Sequence, residues 1–202
     1  MLSGDQILRL GLLPGARGVD APDAGEDAAH GAELARAGVD AAHAASDDPQ
    51  RGADAGQTGA FQPNGVDLSL EAVWRLGGRG SLGRANADRE LPPREPLVFD
   101  AEDWLELTPG AYGIRYAEWV ELPNDCAGLC FPRSSLLRMG LHVPTAVWDA
   151  GYAGRGEGLL QVSNPHGVRL QRGARIVQLV VFRLSEAARA GYAGSYQHEN
   201  RH

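Results

Sequence analysis

The sequence contains no lysine: all nineteen basic residues among its 202 are arginine. This excludes Schiff-base chemistry, a phosphate loop ending in Gly-Lys-Ser/Thr and a kinase built on a strand lysine. Any anion site must use Arg, backbone N–H groups or a metal. Cysteine is nearly as scarce. Cys126 and Cys130 are too few and too close for a disulfide framework, or for a zinc site without a second ligand pair, and read as two buried thiols on one face of a strand. No apolar run of about eighteen residues is present to cross a bilayer, and Met1-Leu2-Ser3-Gly4-Asp5 lacks the basic and apolar regions of a signal peptide. The expected address is therefore the cytoplasm, with no membrane partner. Positive charge is in deficit, 19 basic against 26 acidic residues for a net −7, so duplex binding is disfavoured and no nucleic-acid partner is expected. Of the six histidines only His198 and His202 stand four apart, in His198-Glu199-Asn200-Arg201-His202, and the Glu-plus-Cys/His cradle of zinc deaminases is missing.

What is present divides unevenly along the chain. Apolar Ile7, Leu8, Leu10, Leu12 and Leu13 behind an Asp5 cap predict a short helix within residues 4 to 13. Residues 17 to 60 then hold fourteen Ala, seven Gly, nine Asp or Glu and three Arg. Such a segment cannot bury enough apolar surface to offset its ordering entropy. It reads as a mostly disordered insertion in a single domain spanning residues 1–202. Its charge of −6, nine acids less three Arg, leaves only −1 for the rest of the chain.

From Phe61 onward the pattern is β. Val66 to Trp74 alternates apolar and polar residues, as a half-buried strand does. Further strands are expected at Leu97 to Phe99, Trp104 to Leu107, Ala111 to Leu122, Gly128 to Phe131, His142 to Trp148, Gly158 to Ser163, Val168 to Leu170 and Ile176 to Leu184. Turn signals separate them at Pro109-Gly110, Pro123-Asn124-Asp125, Asn164-Pro165-His166-Gly167 and Arg172-Gly173. Many short strands spaced this way predict a mainly-β sandwich or distorted barrel, with one short internal helix around Ser134 to Met139. Gly78-Arg79-Gly80-Ser81-Leu82-Gly83 matches a dinucleotide fingerprint in letters only, because residues 85 to 96, with three prolines, make a poor helix.

Two stretches carry candidate chemistry. Arg133-Ser134-Ser135, at a strand-to-helix junction, would gather a guanidinium, two hydroxyls and unpaired N–H groups around one point, as a polyphosphate requires; the plainer reading is a capped helix with a surface Arg. In Val147-Trp148-Asp149-Ala150-Gly151-Tyr152, Asp149 ends an apolar strand and turns with the chain. Its carboxylate either activates a water or bonds the N–H groups of its own turn.

Four segments in order resemble one family. Gly65-Val66-Asp67-Leu68, Arg133-Ser134-Ser135 with Gly140-Leu141, Trp148-Asp149-Ala150-Gly151-Tyr152 and Arg175-Ile176-Val177-Gln178-Leu179 look like the motifs of the trimeric dUTPase and dCTP deaminase superfamily. Gly110 to Pro123 with Glu118, and Gly194-Ser195-Tyr196-Gln197, resemble its deaminase-like, archaeal-type dUTP diphosphatases. The resemblance implies a dUTPase-like distorted β-barrel or jelly-roll that forms a homotrimer with active sites shared between chains. It implies Mg2+-dependent hydrolysis of dUTP to dUMP and pyrophosphate, which keeps uracil out of DNA and supplies dUMP. By the same resemblance Asp149 would activate the attacking water, and Arg133, Ser134, Ser135 and Gln178 would bind the phosphates. Tyr152 would lie under the deoxyribose, backbone groups of residues 142 to 148 would read the uracil, and Asp67 would hold hydrated Mg2+ through water.

The alternative is a dCTP deaminase, alone or combined with dUTP hydrolysis. Members with that activity carry a Glu three residues before an Asn on the strand after the Asp turn. Counting back from Asn164 gives Gln161, whose amide cannot act as a base, so Gln161 is expected to contact substrate without supporting deamination. Glu157 is the other carboxylate nearby, expected in the turn rather than on the strand.

Overall fold

A computed structural model describes residues 1–14 and 60–201. The expected insertion therefore lies, apart from Ala60, outside the described residues. In chain order the elements are α1 (Gly4–Arg9), β1 (Phe61–Gln62), β2 (Gly65–Leu76), β3 (Arg94–Pro96), β4 (Trp104–Leu107), β5 (Gly110–Tyr116), β6 (Val120–Glu121), β7 (Cys126–Pro132), α2 (Ser134–Arg138), β8 (Leu141–His142), β9 (Val147–Trp148), β10 (Ala153–Gly154), β11 (Glu157–Val162), β12 (Val168–Gln171) and β13 (Arg175–Arg183). The described residues are mainly β, with two short α-helices and a 3-10 turn at Asn86–Asp88.

Nine strands form one sheet, ordered β8-β11-β5-β2-β13-β7-β9, with β1 and β3 also paired to β2; β10 pairs with β6 and β12 with β4. Every pairing is antiparallel, so no crossover helix is needed and tight turns suffice. The long strand β2 changes partner along its length. Val66 to Ser69 pair with β13, and Leu70 to Arg75 pair with β5, with a register irregularity between Leu70 and Ala72. An irregularity of this kind bends a strand and increases its twist, and the sheet curls around a core that includes Leu68, Leu70, Ile114, Leu160 and Val181, all fully buried.

Helix α1 closes one side of that core with Ile7. Its cap is Ser3 rather than the expected Asp5: the Gln6 N–H donates to Ser3 Oγ while the Ser3 N–H donates to Gln6 Oε1, a reciprocal arrangement that Asp5, already inside the helix, cannot make. The thiols of Cys126 and Cys130 are both buried on β7, as the four-residue spacing predicts.

Three strand expectations differ from the structure. Residues 142 to 148 do not form one strand; Pro144, which has no N–H, separates β8, paired with β11, from β9, paired with β7. The long strand expected from Ala111 to Leu122 divides into β5 and β6, because the chain leaves the sheet where the Glu118 carboxylate accepts the Ser69 N–H at 2.8 Å and the Ser69 hydroxyl at 2.5 Å. Pairing with the far end of β2 falls on Arg94–Pro96 instead of Leu97 to Phe99.

One glycine on β5 is a packing requirement. A methyl group on Gly113 would lie inside the indole of Trp74 on the neighbouring strand. Gly113→Ala is expected to cost about 1–3 kcal/mol through overpacking, measurable as a lowered denaturant midpoint at unchanged m-value.

Candidate functional site

The residues singled out in the sequence fall into two groups. The first lies where β2, β13 and β7 run side by side. Gln178 on β13 stands opposite Asp67 on β2 and opposite Phe131 on β7. Arg133, which caps α2, is held at the end of β7 by its N–H donating to the Ile176 carbonyl and its Nη1 donating to the Arg175 carbonyl. Its Nε lies 3.2 Å from Asp67 Oδ2, and Arg175 Nη1 lies 3.6 Å from the same oxygen. Gln62 Nε2 donates to it as well, at 3.2 Å. Asp67 is only 2 % exposed. Burial pushes its carboxyl upward, and the two guanidiniums and the Gln62 amide oppose that shift. Ser134 and Ser135, beside Arg133, are exposed.

The second group surrounds the turn after β9. Trp148 is buried, and the chain reverses through Gly151, whose φ of 81° suits glycine, with the Tyr152 N–H donating to the Asp149 carbonyl at 3.1 Å. Asp149 is exposed and lines a cavity of about 210 Å³ together with Trp148, Tyr152, Glu157, Tyr196 and Glu199. Two of the turn's N–H groups are bonded without the Asp149 carboxylate: those of Tyr152 and Ala153 donate to the Asp149 carbonyl and to Gln197 Oε1. A solvent-facing carboxylate on a rigid strand end can take a proton from water.

The Tyr152 ring sits edge-on to Trp148 at 5.2 Å and to Tyr192 at 5.9 Å, and its hydroxyl donates to Glu199 Oε1 at 2.9 Å. Burial and the neighbouring carboxylates raise the tyrosine pKa. Around it the C-terminal residues clasp the turn. The Gln197 amide spans the Gly151 carbonyl and the Ala153 N–H, the His198 N–H donates to the Ala153 carbonyl, and Asn200 Nδ2 donates to Glu157 Oε1. Glu157 begins β11 rather than lying in the preceding turn, and is paired with Arg94 at 2.6 Å. Gln161 is exposed further along β11, opposite Ala111 and His142, and does not line the Asp149 cavity.

Sequence reasoning missed Glu199, Tyr196, Arg94 and Arg175 as members of these groups. Glu199 meets Tyr152 across 47 positions, and no local pattern announces such a contact. Burial raises the Glu199 carboxyl above its ordinary 4.5, opposed by the Tyr152 hydroxyl and reinforced by the Glu157 charge. A carboxyl whose pKa is raised by docking favours the docked state when protonated, so this contribution is present below the ordinary value and lost as pH rises through the raised one. The hydrogen-exchange protection factor of the His198 amide is expected to fall across that window in the wild type and to stay flat in Glu199→Gln.

Among the described residues no group of three His, Cys, Asp or Glu is placed to hold a metal. A divalent ion would need most of its oxygen ligands from phosphate and water.

A family model described as dCTP deaminase-like matches residues 37–184. A protein of Methanosarcina acetivorans named probable deoxyuridine 5'-triphosphate nucleotidohydrolase is 43% identical over 140 residues, 69% of this chain and 82% of its own length. An Archaeoglobus fulgidus protein of the same name is 48% identical over the same shares. Among solved structures, the 2'-deoxycytidine 5'-triphosphate deaminase of Agrobacterium tumefaciens superimposes with a TM-score of 0.49 at 18% identity, over 61% of this chain and 42% of that one.

Proposed function

Because the chain belongs to the dCTP deaminase-like family, we propose that it is a dUTP diphosphatase, converting dUTP to dUMP and pyrophosphate. The observation that carries this reading is the identity of 40–48% to archaeal proteins named as dUTP nucleotidohydrolases, over about 69% of this chain. The replacement of a carboxylate by the Gln161 amide fits it, since an amide cannot shuttle the proton that deamination of a cytosine needs.

In this reading Asp149 removes a proton from the water that attacks the α-phosphorus. The new P–O bond forms as the bond to the bridging oxygen breaks, and the electron pair leaves with pyrophosphate. Arg133, the Ser134 and Ser135 hydroxyls and the Gln178 amide bind the triphosphate, Tyr152 packs against the deoxyribose, and Gln161 contacts substrate from β11. Backbone groups of the Pro144-broken segment from residue 142 to 148 face the base.

None of Asp67, Arg133, Ser134, Ser135 or Gln178 lines the Asp149 cavity. That separation supports a homotrimer in which one chain supplies the phosphate group of residues and its neighbour supplies Asp149 and Tyr152. It also agrees with exposed Phe131, Leu137, Met139 and Val147, apolar side chains beside both groups.

Mg2+ on the triphosphate would neutralise charge on the phosphoryl oxygens. Asp67, expected from the sequence to hold that ion through water, does not fit the task. A carboxylate that is 2 % exposed and faces two guanidiniums leaves no space for a hydrated cation, so no step is routed through it. The domain assignment rests on the same reading: one domain, with residues 17–60 as an insertion.

The test is to incubate the purified protein with dUTP and with dCTP, each with Mg2+, and to follow pyrophosphate and ammonia separately. Pyrophosphate from dUTP without ammonia from dCTP is expected. Ammonia from dCTP would make the protein a deaminase, and binding without either product would remove it from catalysis.

A further inference from the structure

The geometry points to Asp67 as a positioning residue that sets the direction of the Arg133 and Arg175 guanidiniums, and not as a holder of metal; its link to phosphate binding rests on the dUTP reading above. The observation behind it is a β-bulge. Along β13, Gln178 stands opposite Asp67 and Val177 opposite Leu68, but the next partner, Ser69, is met by Arg175 rather than by Ile176. One extra residue has been inserted, and because side chains alternate between faces with period two, the insertion reverses the facing of everything before it.

Without the bulge, Ile176 would stand beside Ser69 on the Asp67 face and Arg175 would point the other way. With it, Ile176 is buried at 1 % exposure and Arg175 shares a face with Asp67 and Gln178. Arg133 reaches the same carboxylate from the end of β7, and its own N–H is anchored on the Ile176 carbonyl, at the bulge itself. Three contacts converge on one oxygen: Arg133 Nε at 3.2 Å, Arg175 Nη1 at 3.6 Å and Gln62 Nε2 at 3.2 Å. The two arginine side chains keep 33% and 36% of their surface exposed while the carboxylate between them keeps 2%. The arrangement is a buried anchor between two partly exposed guanidiniums, a side-chain type whose planar fork suits an anion.

A positioning role and a metal-holding role predict opposite signs when the charge is removed. Asp67→Asn makes the site more positive, so if Asp67 only held a cation, metal-free binding of an anion would be unchanged or tighter. If it orients the arginines, that binding weakens despite the gain in positive charge. The measurement is calorimetric titration of inorganic tripolyphosphate into the full chain in EDTA, with Arg175→Gln as a second variant that alters the cluster at its exposed member. At least a fivefold loss of affinity is expected in each, with the Mg2+ concentration for half-maximal dUTP turnover unchanged in Asp67→Asn.

Unchanged or tighter binding in Asp67→Asn, or a raised Mg2+ requirement that excess Mg2+ overcomes, would overturn the inference. A ligand-free readout separates it from the functional reading. The Tm losses of Asp67→Asn and Arg175→Gln are expected to be less than additive in the double variant, and strict additivity would also overturn the inference. Sub-additive losses in a wild type that binds neither tripolyphosphate nor dUTP would retain the positioning and overturn the dUTP reading instead.

Discussion

Asp149→Asn is expected to lower kcat for dUTP by at least about a hundredfold, the lower end of what a positioned general base contributes, while a non-hydrolysable dUTP analogue binds with nearly unchanged affinity. The amide has the size of the carboxylate but no basic oxygen. The fold should not respond, because Asp149 is exposed and its turn is held by the backbone bond from Tyr152 and by the Gln197 amide. Surface changes of this kind stay within about 0.5 kcal/mol. Single-turnover kinetics with matched thermal melts makes the comparison. A variant that keeps wild-type kcat would show that the base lies elsewhere, with Glu157 and Glu199, which line the same cavity, as the next residues to replace.

The second large effect concerns the division of the site between chains. Asp149→Asn lacks the base but keeps the phosphate-binding group; Arg133→Ala keeps the base but loses a charged donor, worth about 1.5–3 kcal/mol per hydrogen bond. Each variant alone should be nearly inactive. Co-refolded in equal amounts as a trimer, about one site in four should combine an intact Arg133 from one chain with an intact Asp149 from its neighbour, by random assortment around a cyclic assembly. Activity should recover to a matching fraction. Mixed trimers verified by mass that regain nothing would confine each site to one chain, and a sedimentation mass equal to the monomer would remove the shared site altogether.

Both expectations depend on features that differ in how visible they are in the sequence. Asp149 is a candidate in the sequence because it ends an apolar strand ahead of two glycines, where its carboxylate either activates a water or bonds its own turn. In the structure the Ala153 N–H and the Gly151 carbonyl of that turn are held by the Gln197 side chain, from 44 and 46 positions away. Helix α2 and the strands β4, β7, β11, β12 and β13 follow patterns of alternation and turn residues, and their bounds differ from expectation by a few residues at most. The errors share a cause. Pro144 interrupts an apolar run that reads as continuous, and Glu118 draws the chain out of β5 by bonding Ser69 on another strand. Strand length depends on available partners as much as on propensity.

Local chemistry in the chain was enough to exclude every lysine-based mechanism, to assign the net acidity to residues 17–60, to predict a mainly-β protein and to bring Asp149 and Arg133 forward as candidates, whereas Asp67 entered through the family resemblance. Those inferences need only residue identity and short-range spacing. The facing of Arg175, the burial of Asp67 between two guanidiniums, the clasp of Glu199 on Tyr152 and the separation of the candidate residues into two groups were decided by tertiary structure alone. A single inserted residue at Ile176 reverses which face a side chain occupies, yet it leaves composition and hydrophobic pattern almost untouched. Whether a carboxylate meets a cation, a tyrosine or water depends on strands brought together from far along the chain.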